Sequence, residues 1–182
     1  MLDTLPKMTP PITNTALARW NELDAATAAS EILPCCGSSA WANGVASRRP
    51  NADAEELFEA SDWVWAALSE EDWREAFDSH PRIGQQHARA ATAESLAWSS
   101  EEQWAAAAQE EETKLALAEA NRQYEEKFGR IFIVCASGRS AAEILEICNV
   151  RMKNSAADEM LEAAEQQCQI TQLRLRNWLG VA

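Results

Sequence analysis

From Ser99 to Lys127 the chain reads SSEEQWAAAAQEEETKLALAEANRQYEEK, with no glycine or proline in it. Alanine, leucine, glutamate and glutamine are low-cost helix residues, so this run predicts one long α-helix, closed by Gly129 at a C-cap position. An element of that length commits the rest of the chain to packing helices against it. Punctuation elsewhere is sparse, because the sequence holds only 6 Gly and 6 Pro in 182 residues.

The other segments agree. NTALARWNELDAATAASEIL places Leu17, Trp20, Leu23, Ile32 and Leu33 at helical intervals and predicts a helix ended by Pro34. CCGSSAWANGVASRRP restarts with Ser38 or Ser39 as N-cap and stops at Pro50, and DAEELFEASDWVWAALS carries Leu57, Phe58, Ser61, Trp65 and Leu68 on one stripe. SEEDWREAF opens on Ser69 and Asp72, and SAAEILEICNVRMKN on Ser140 and Glu143, both in capping-box spacing. SAADEMLEAAEQQCQITQLRLRNWL adds a final long helix. Between them IFIVCA is β-branched but too short for several turns and has no partner run, so it reads as a buried extended or helical connector. The expectation is an all-α fold in one domain over residues 1–182, with 1–13 a loosely ordered N-terminal extension. The eight tryptophans, spread over most helices, read mainly as core contacts.

Charge narrows the partners. Sixteen Lys+Arg against 29 Asp+Glu give a net charge of −13, which repels nucleic acid and an anionic membrane surface. A small anionic substrate would need local cations or a helix N-terminus. The opening MLDTLPKMTPPITNT has no basic stretch followed by an apolar run, and no apolar segment approaches membrane length, so a cytoplasmic protein is expected. The five cysteines have no metal-binding spacing and read as reduced, mostly buried thiols. With no Gly-rich phosphate loop, HExxH or GxSxG, neither a metal nor a cofactor is expected.

The stretch FDSHPRIGQQH holds both histidines. His80 sits where a helical pattern stops, ahead of Pro81 and Gly84, and fits either a polar turn or an imidazole presented as acid or base. His87 reads as an exposed loop residue. Ser99 and Glu102 form a capping box, unless Ser99 or Glu101 caps the turn and frees Glu102 for a pocket. Arg151, Arg174 and Arg176, taken singly, read as solvated or salt-bridged surface residues.

Taken together, HPRIG, EEQ, NRQYEEKFGRIFIVCASGRSAAEIL, RMKN and QITQLRL stand in the order and at the separations of one family. The chain resembles 2-oxo-4-hydroxy-4-carboxy-5-ureidoimidazoline (OHCU) decarboxylases, of the ureide branch of urate breakdown, from about CGSSAW to LRL. HPRIG and N-x-x-Y-x-x-K-F-G are specific to it, whereas EEQ alone is not. The N-terminal third matches loosely, with RRPN where the family often reads RPF.

The resemblance implies a multi-helix bundle of the OHCU decarboxylase type. It also implies a cofactor-independent homodimer whose small-molecule substrate, OHCU, becomes (S)-allantoin with loss of CO₂. His80 would be the general acid/base, assisted by Glu102. Pro81, Ser99 and Gln103 would line the ligand, Phe132, Ile133, Val134, Cys135 and Ala136 would approach its ring through their backbone, and Arg174 would pair with its anionic or carbonyl oxygens. Two other readings stand beside it: a non-catalytic helical interaction module, and an enzyme acting on a related ureido compound.

Overall fold

The computed structural model describes residues 14–81 and 111–181. Among these residues the chain forms eight helices and no strand. They are α1 (Thr15–Asn21), α2 (Ala25–Cys36), α3 (Ser39–Ala46), α4 (Ala54–Ala66), α5 (Glu70–Asp78), α6 (Glu111–Phe128), α7 (Ala141–Arg151) and α8 (Ala156–Leu179). The last is the spine, packing against α1, α2, α4 and α5, while α6 packs on α7.

Most boundaries follow from side-chain caps. Ser38, Ser69, Ser140 and Ser155 each accept a hydrogen bond from the backbone N–H three residues on, and Ser69–Asp72 and Ser140–Glu143 complete reciprocal capping boxes. Gly129, with φ of +68°, follows the end of α6 and donates its N–H to the Glu125 carbonyl at 2.9 Å. The part of the long predicted helix before Glu111 lies outside the described residues, as do residues 1–13.

One predicted element is corrected. The run from Asn14 through Leu33 is two helices, because Asp24 caps a new start through Thr27 N–H at 3.0 Å. Arg49 of the RRPN stretch holds the break open, donating to the carbonyls of Trp20 at 2.6 Å and Leu23 at 2.8 Å. Nor does Pro34 end α2: it lies in the last turn, and the helix stops at Gly37 in the left-handed region, φ +90°. A proline this close to the end removes one ladder bond without stopping the remaining turn.

Two apolar clusters share one connector. The larger gathers α1 to α5 and α8 around Trp20, Trp41, Leu57, Phe77 and Leu175, and the smaller joins α6 and α7 around Tyr124, Ile144 and Cys148. Residues 131–136 run between them with no regular secondary structure. Ile131, Ile133 and Cys135 pack into the larger cluster, whereas Phe132, Val134 and Ala136 pack into the smaller. That period of two is the signature of an extended chain buried on both faces.

The tryptophans mostly do what the sequence suggests. Trp20, Trp41 and Trp65 are buried, and each donates its indole N–H, to the Ala28 carbonyl, Ser61 Oγ and the Ala164 carbonyl respectively. Among the described residues Trp73 and Trp178 are half-buried and Trp63 is exposed, at 61%, with the Arg48 guanidinium 3.6 Å over its ring. None of the five cysteines is in a disulfide, and Cys35, Cys36 and Cys148 are buried.

Gly37 also fixes the turn after α5. A Cβ at this position would stand 2.1 Å from Ser79 Oγ, so the end of α2 is seated directly on the turn that delivers His80. Gly37→Ala adds a left-handed strain to this collision and is expected to cost on the order of 1–3 kcal/mol. Urea denaturation measures it; a variant as stable as the parent would mean that the two elements separate freely.

Candidate active site

His80 is held by backbone geometry. After α5 its own N–H donates to the Phe77 carbonyl at 3.1 Å, and buried Ser79 closes the turn through Oγ to the Ala76 carbonyl at 2.7 Å. Pro81 is buried immediately after it. The imidazole is therefore presented from a closed turn with little backbone freedom.

The wall opposite is one face of α8, where Gln167, Thr171 and Arg174 follow one another at helical spacing, all buried. Gln167 donates through Nε2 to the Cys36 carbonyl at 3.2 Å and to Thr171 Oγ1 at 3.3 Å, which ties α8 to the end of α2. Arg174 is fully buried, with Nη1 3.5 Å from the Pro34 carbonyl. His80 Nε2 and Gln167 Oε1 are both buried without a hydrogen-bond partner among the described residues.

Burial, and then the positive charge of Arg174, lower the His80 pKa from 6.5 to about 3, opposed by Gln167. The imidazole is thus neutral at physiological pH. Burial also raises the thiols of Cys35 and Cys36, the latter to about 12, so neither supplies a thiolate nucleophile despite the nearby guanidinium. The site combines a neutral base with a buried cation.

The connector reaches α8 one residue away from that wall. Gln166 Oε1 accepts the Cys135 N–H at 3.0 Å, and the Ile133 carbonyl accepts from Arg151 Nη1 at 2.7 Å. Ser99, Glu102, Gln103 and His87 lie outside the described residues. Of the expected site residues within them, His80, Pro81 and Arg174 gather at the turn after α5 and the facing stretch of α8. Phe132 to Ala136 approach α8 through Gln166.

Two arginines depart from the surface reading. Arg151 is 4% exposed and paired with fully buried Glu159, and Arg174 is 0% exposed; only Arg176, half-buried with its guanidinium 4.5 Å from the Phe58 ring, resembles a surface side chain. Sequence reasoning also passed over Gln167 and Thr171. Their signal was available, because they share with Arg174 the face of α8 that carries Ala163 and Ile170 into the core.

Among the described residues no group of three or more His, Cys, Asp or Glu is placed to hold a metal ion, and no helix is long and apolar enough to cross a membrane.

The family model described as OHCU decarboxylase matches residues 21–176. The chain belongs to the OHCU decarboxylase family. A curated relative, the uric acid degradation bifunctional protein TTL of Arabidopsis thaliana, is 38% identical over 142 residues, or 78% of this chain and 44% of that protein. The chain therefore spans less than half the length of that relative. A crystal structure of OHCU decarboxylase in the presence of (S)-allantoin superposes with a TM-score of 0.71 at 34% identity, covering 82% of this family member and 97% of that chain. A structure of (S)-allantoin synthase, with a TM-score of 0.66 over 92% of this chain and 54% of its own, shares the fold at 16% identity.

Proposed function

We propose that this protein decarboxylates OHCU to (S)-allantoin in urate catabolism, with His80 as general acid/base assisted by Glu102. Family membership supports the reaction class. The observation that carries the site reading is the neutral imidazole of half-buried His80, its Nε2 shielded from solvent, beside the buried guanidinium of Arg174, in a protein of net charge −13. Arg174 supplies the local cation that an acidic chain needs for an anionic substrate.

The substrate contains its own electron sink. OHCU carries a carboxylate and a hydroxyl on one ring carbon, next to an imine carbon. When the bond to the carboxylate breaks, CO₂ leaves, the electron pair forms a carbon–carbon double bond in the ring, and the imine nitrogen takes up a proton. The hydroxyl then gives up its proton to become the carbonyl of the product, and a proton added to one face of the neighbouring carbon sets the (S) centre.

His80 manages the proton at the hydroxyl. Before substrate binds it is neutral and able to accept; taking the hydroxyl proton converts it to the acid that can return a proton later in the cycle. Glu102 would hold ring or ureido N–H groups and relay the proton to carbon. Pro81, Ser99, Gln103 and the backbone of Phe132, Ile133, Val134, Cys135 and Ala136 would fix which face is presented. A cytoplasmic homodimer completes the proposal, expected by light scattering at twice the 20.1 kDa chain mass.

The test generates OHCU in place from urate, with urate oxidase and hydroxyisourate hydrolase, and follows its ultraviolet decay and the circular dichroism of the product. Faster decay with an (S)-allantoin signal is expected. Unchanged decay to racemic product by folded protein would overturn the reading, and turnover confined to other ureido compounds would reassign the substrate.

A further inference from the structure

Two motifs remain outside the proposed chemistry, N-x-x-Y-x-x-K-F-G and RMKN, and they meet at one buried carboxylate. Glu159 of α8 accepts from Arg151 Nε at 2.9 Å and Nη2 at 2.5 Å, from Asn154 Nδ2 at 2.8 Å, and from the Tyr124 hydroxyl. Lys127 of the same α6 motif donates to the Asn154 carbonyl at 3.0 Å, so the end of α6 is tied to the α7–α8 junction. A buried ion pair adds little stability over apolar packing, so its use here calls for another reason.

The reason lies in the remaining arm of the guanidinium. With Nε and Nη2 on Glu159, Arg151 turns Nη1 to the Ile133 carbonyl at 2.7 Å, while its Cζ stands 4.7 Å from the Phe132 ring centre. Two residues on, Gln166 of α8 takes the Cys135 N–H at 3.0 Å and is itself steadied by Nε2 to Glu162 at 3.2 Å. In an extended chain the carbonyl of one residue and the N–H of the residue two further on lie along the same edge. The Ile133 carbonyl and the Cys135 N–H on that edge are therefore held by side chains. Val134 has its N–H and carbonyl on the other edge, and they bond to no described residue.

We infer that Arg151 and Gln166 are positioning residues that clamp one edge of the connector, and that Glu159 orients Arg151 for that task. Resting on the proposed decarboxylation of OHCU, the clamp determines how the opposite edge of the connector meets the substrate ring. Gln166 and Gln167 are consecutive on α8, one holding the connector and the other beside His80, so the connector and the imidazole are referenced to adjacent residues of one helix. Lysine in place of Arg151 keeps a charge for Glu159 but has no planar fork to hold the carboxylate and the carbonyl together. Leucine in place of Gln166 keeps the volume and removes the acceptor.

The measurement compares Arg151→Lys, Gln166→Leu and, as a core-destabilised control in α1 that makes no bond to the connector, Leu17→Ala, with thermal melting alongside kcat, KM and the enantiomer ratio of product at enzyme levels where spontaneous decay is negligible. Arg151→Lys and Gln166→Leu are expected to lower kcat by about 10- to 100-fold with a smaller change in KM. The excess of (S) product should fall in both. Leu17→Ala should lower the melting temperature and leave kcat and the enantiomer ratio at parental values. If the clamp variants fold and keep parental kcat and enantiomer ratio, or lose only what Leu17→Ala loses, the clamp is refuted while the decarboxylase reading stands. If the parent protein itself does not process OHCU, the proposed function fails and the clamp fails with it.

Discussion

His80→Asn protein is expected to fold at neutral pH and to turn over OHCU about 10²–10⁴-fold more slowly than the parent, the usual range for loss of a general acid/base. Asparagine can occupy the closed turn, and His80 Nε2 makes no hydrogen bond to the described residues that would be lost. Parental turnover would remove His80 from the mechanism; the same test applies to Glu102→Gln.

The substitution should also leave a mark on stability that catalysis does not. An imidazole whose pKa is about 3 when folded and 6.5 when unfolded binds fewer protons in the folded state between those values. Stability linked to it is fully present above pH 6.5 and is lost as the pH falls toward 3. His80→Asn abolishes that dependence, so on acidification from pH 6.5 toward 3 the parent should lose stability relative to the variant. Parallel curves across that window would show that the imidazole is protonated in the folded protein.

The second large effect falls on the buried ion pair. Arg151→Met strands the Glu159 carboxylate, 0% exposed, with only Asn154 and the Tyr124 hydroxyl to answer it, and is expected to destabilise the protein by about 3–5 kcal/mol. Adding Glu159→Leu removes the stranded charge, so the double variant should recover much of that loss. Urea denaturation of the four proteins in the cycle gives the coupling directly; strict additivity would mean that the two charges do not depend on each other.

The stability recovered in this way should not restore turnover, because the double variant still lacks a donor for the Ile133 carbonyl. Recovery of stability without recovery of turnover would separate the two roles of this pair; recovery of both would mark it as a purely structural ion pair.

Helix content was legible because caps, breakers and apolar periodicity are local. Ser38, Ser69, Ser140 and Gly129 announce their ends within a turn, and the structure places them there. The division between α1 and α2 had a local signal in the Asp24 N-cap, but the hold from Arg49, beyond the next helix, was not legible. A lone arginine carries no sign of which carbonyl it will reach.

The site shows the same limit. His80 was suggested by its place at the end of a helix, but its neutrality follows from burial and from Arg174 on the last helix, contacts that no spacing displays. Arg151 read as a surface cation because arginine usually is one. Its partner, Glu159, sits in the core-facing register of α8 with Ala163 and Ile170, and a carboxylate in that register was the available hint of a buried countercharge. The resemblance to a family carried the assignment of Ser99, Glu102 and Gln103, which lie outside the described residues.

The alternation of residues 131–136 constrains how the sequence can vary. Substitutions there need only preserve size, but inserting or deleting one residue would exchange every side chain between the two clusters, sending Phe132 and Val134 where Ile131, Ile133 and Cys135 belong. It would also transfer the clamped edge to the opposite side of the chain. Drift in length should therefore be forbidden through this segment and permitted just after it, at the turn around Gly138, where an added Cβ would meet nothing within 4 Å.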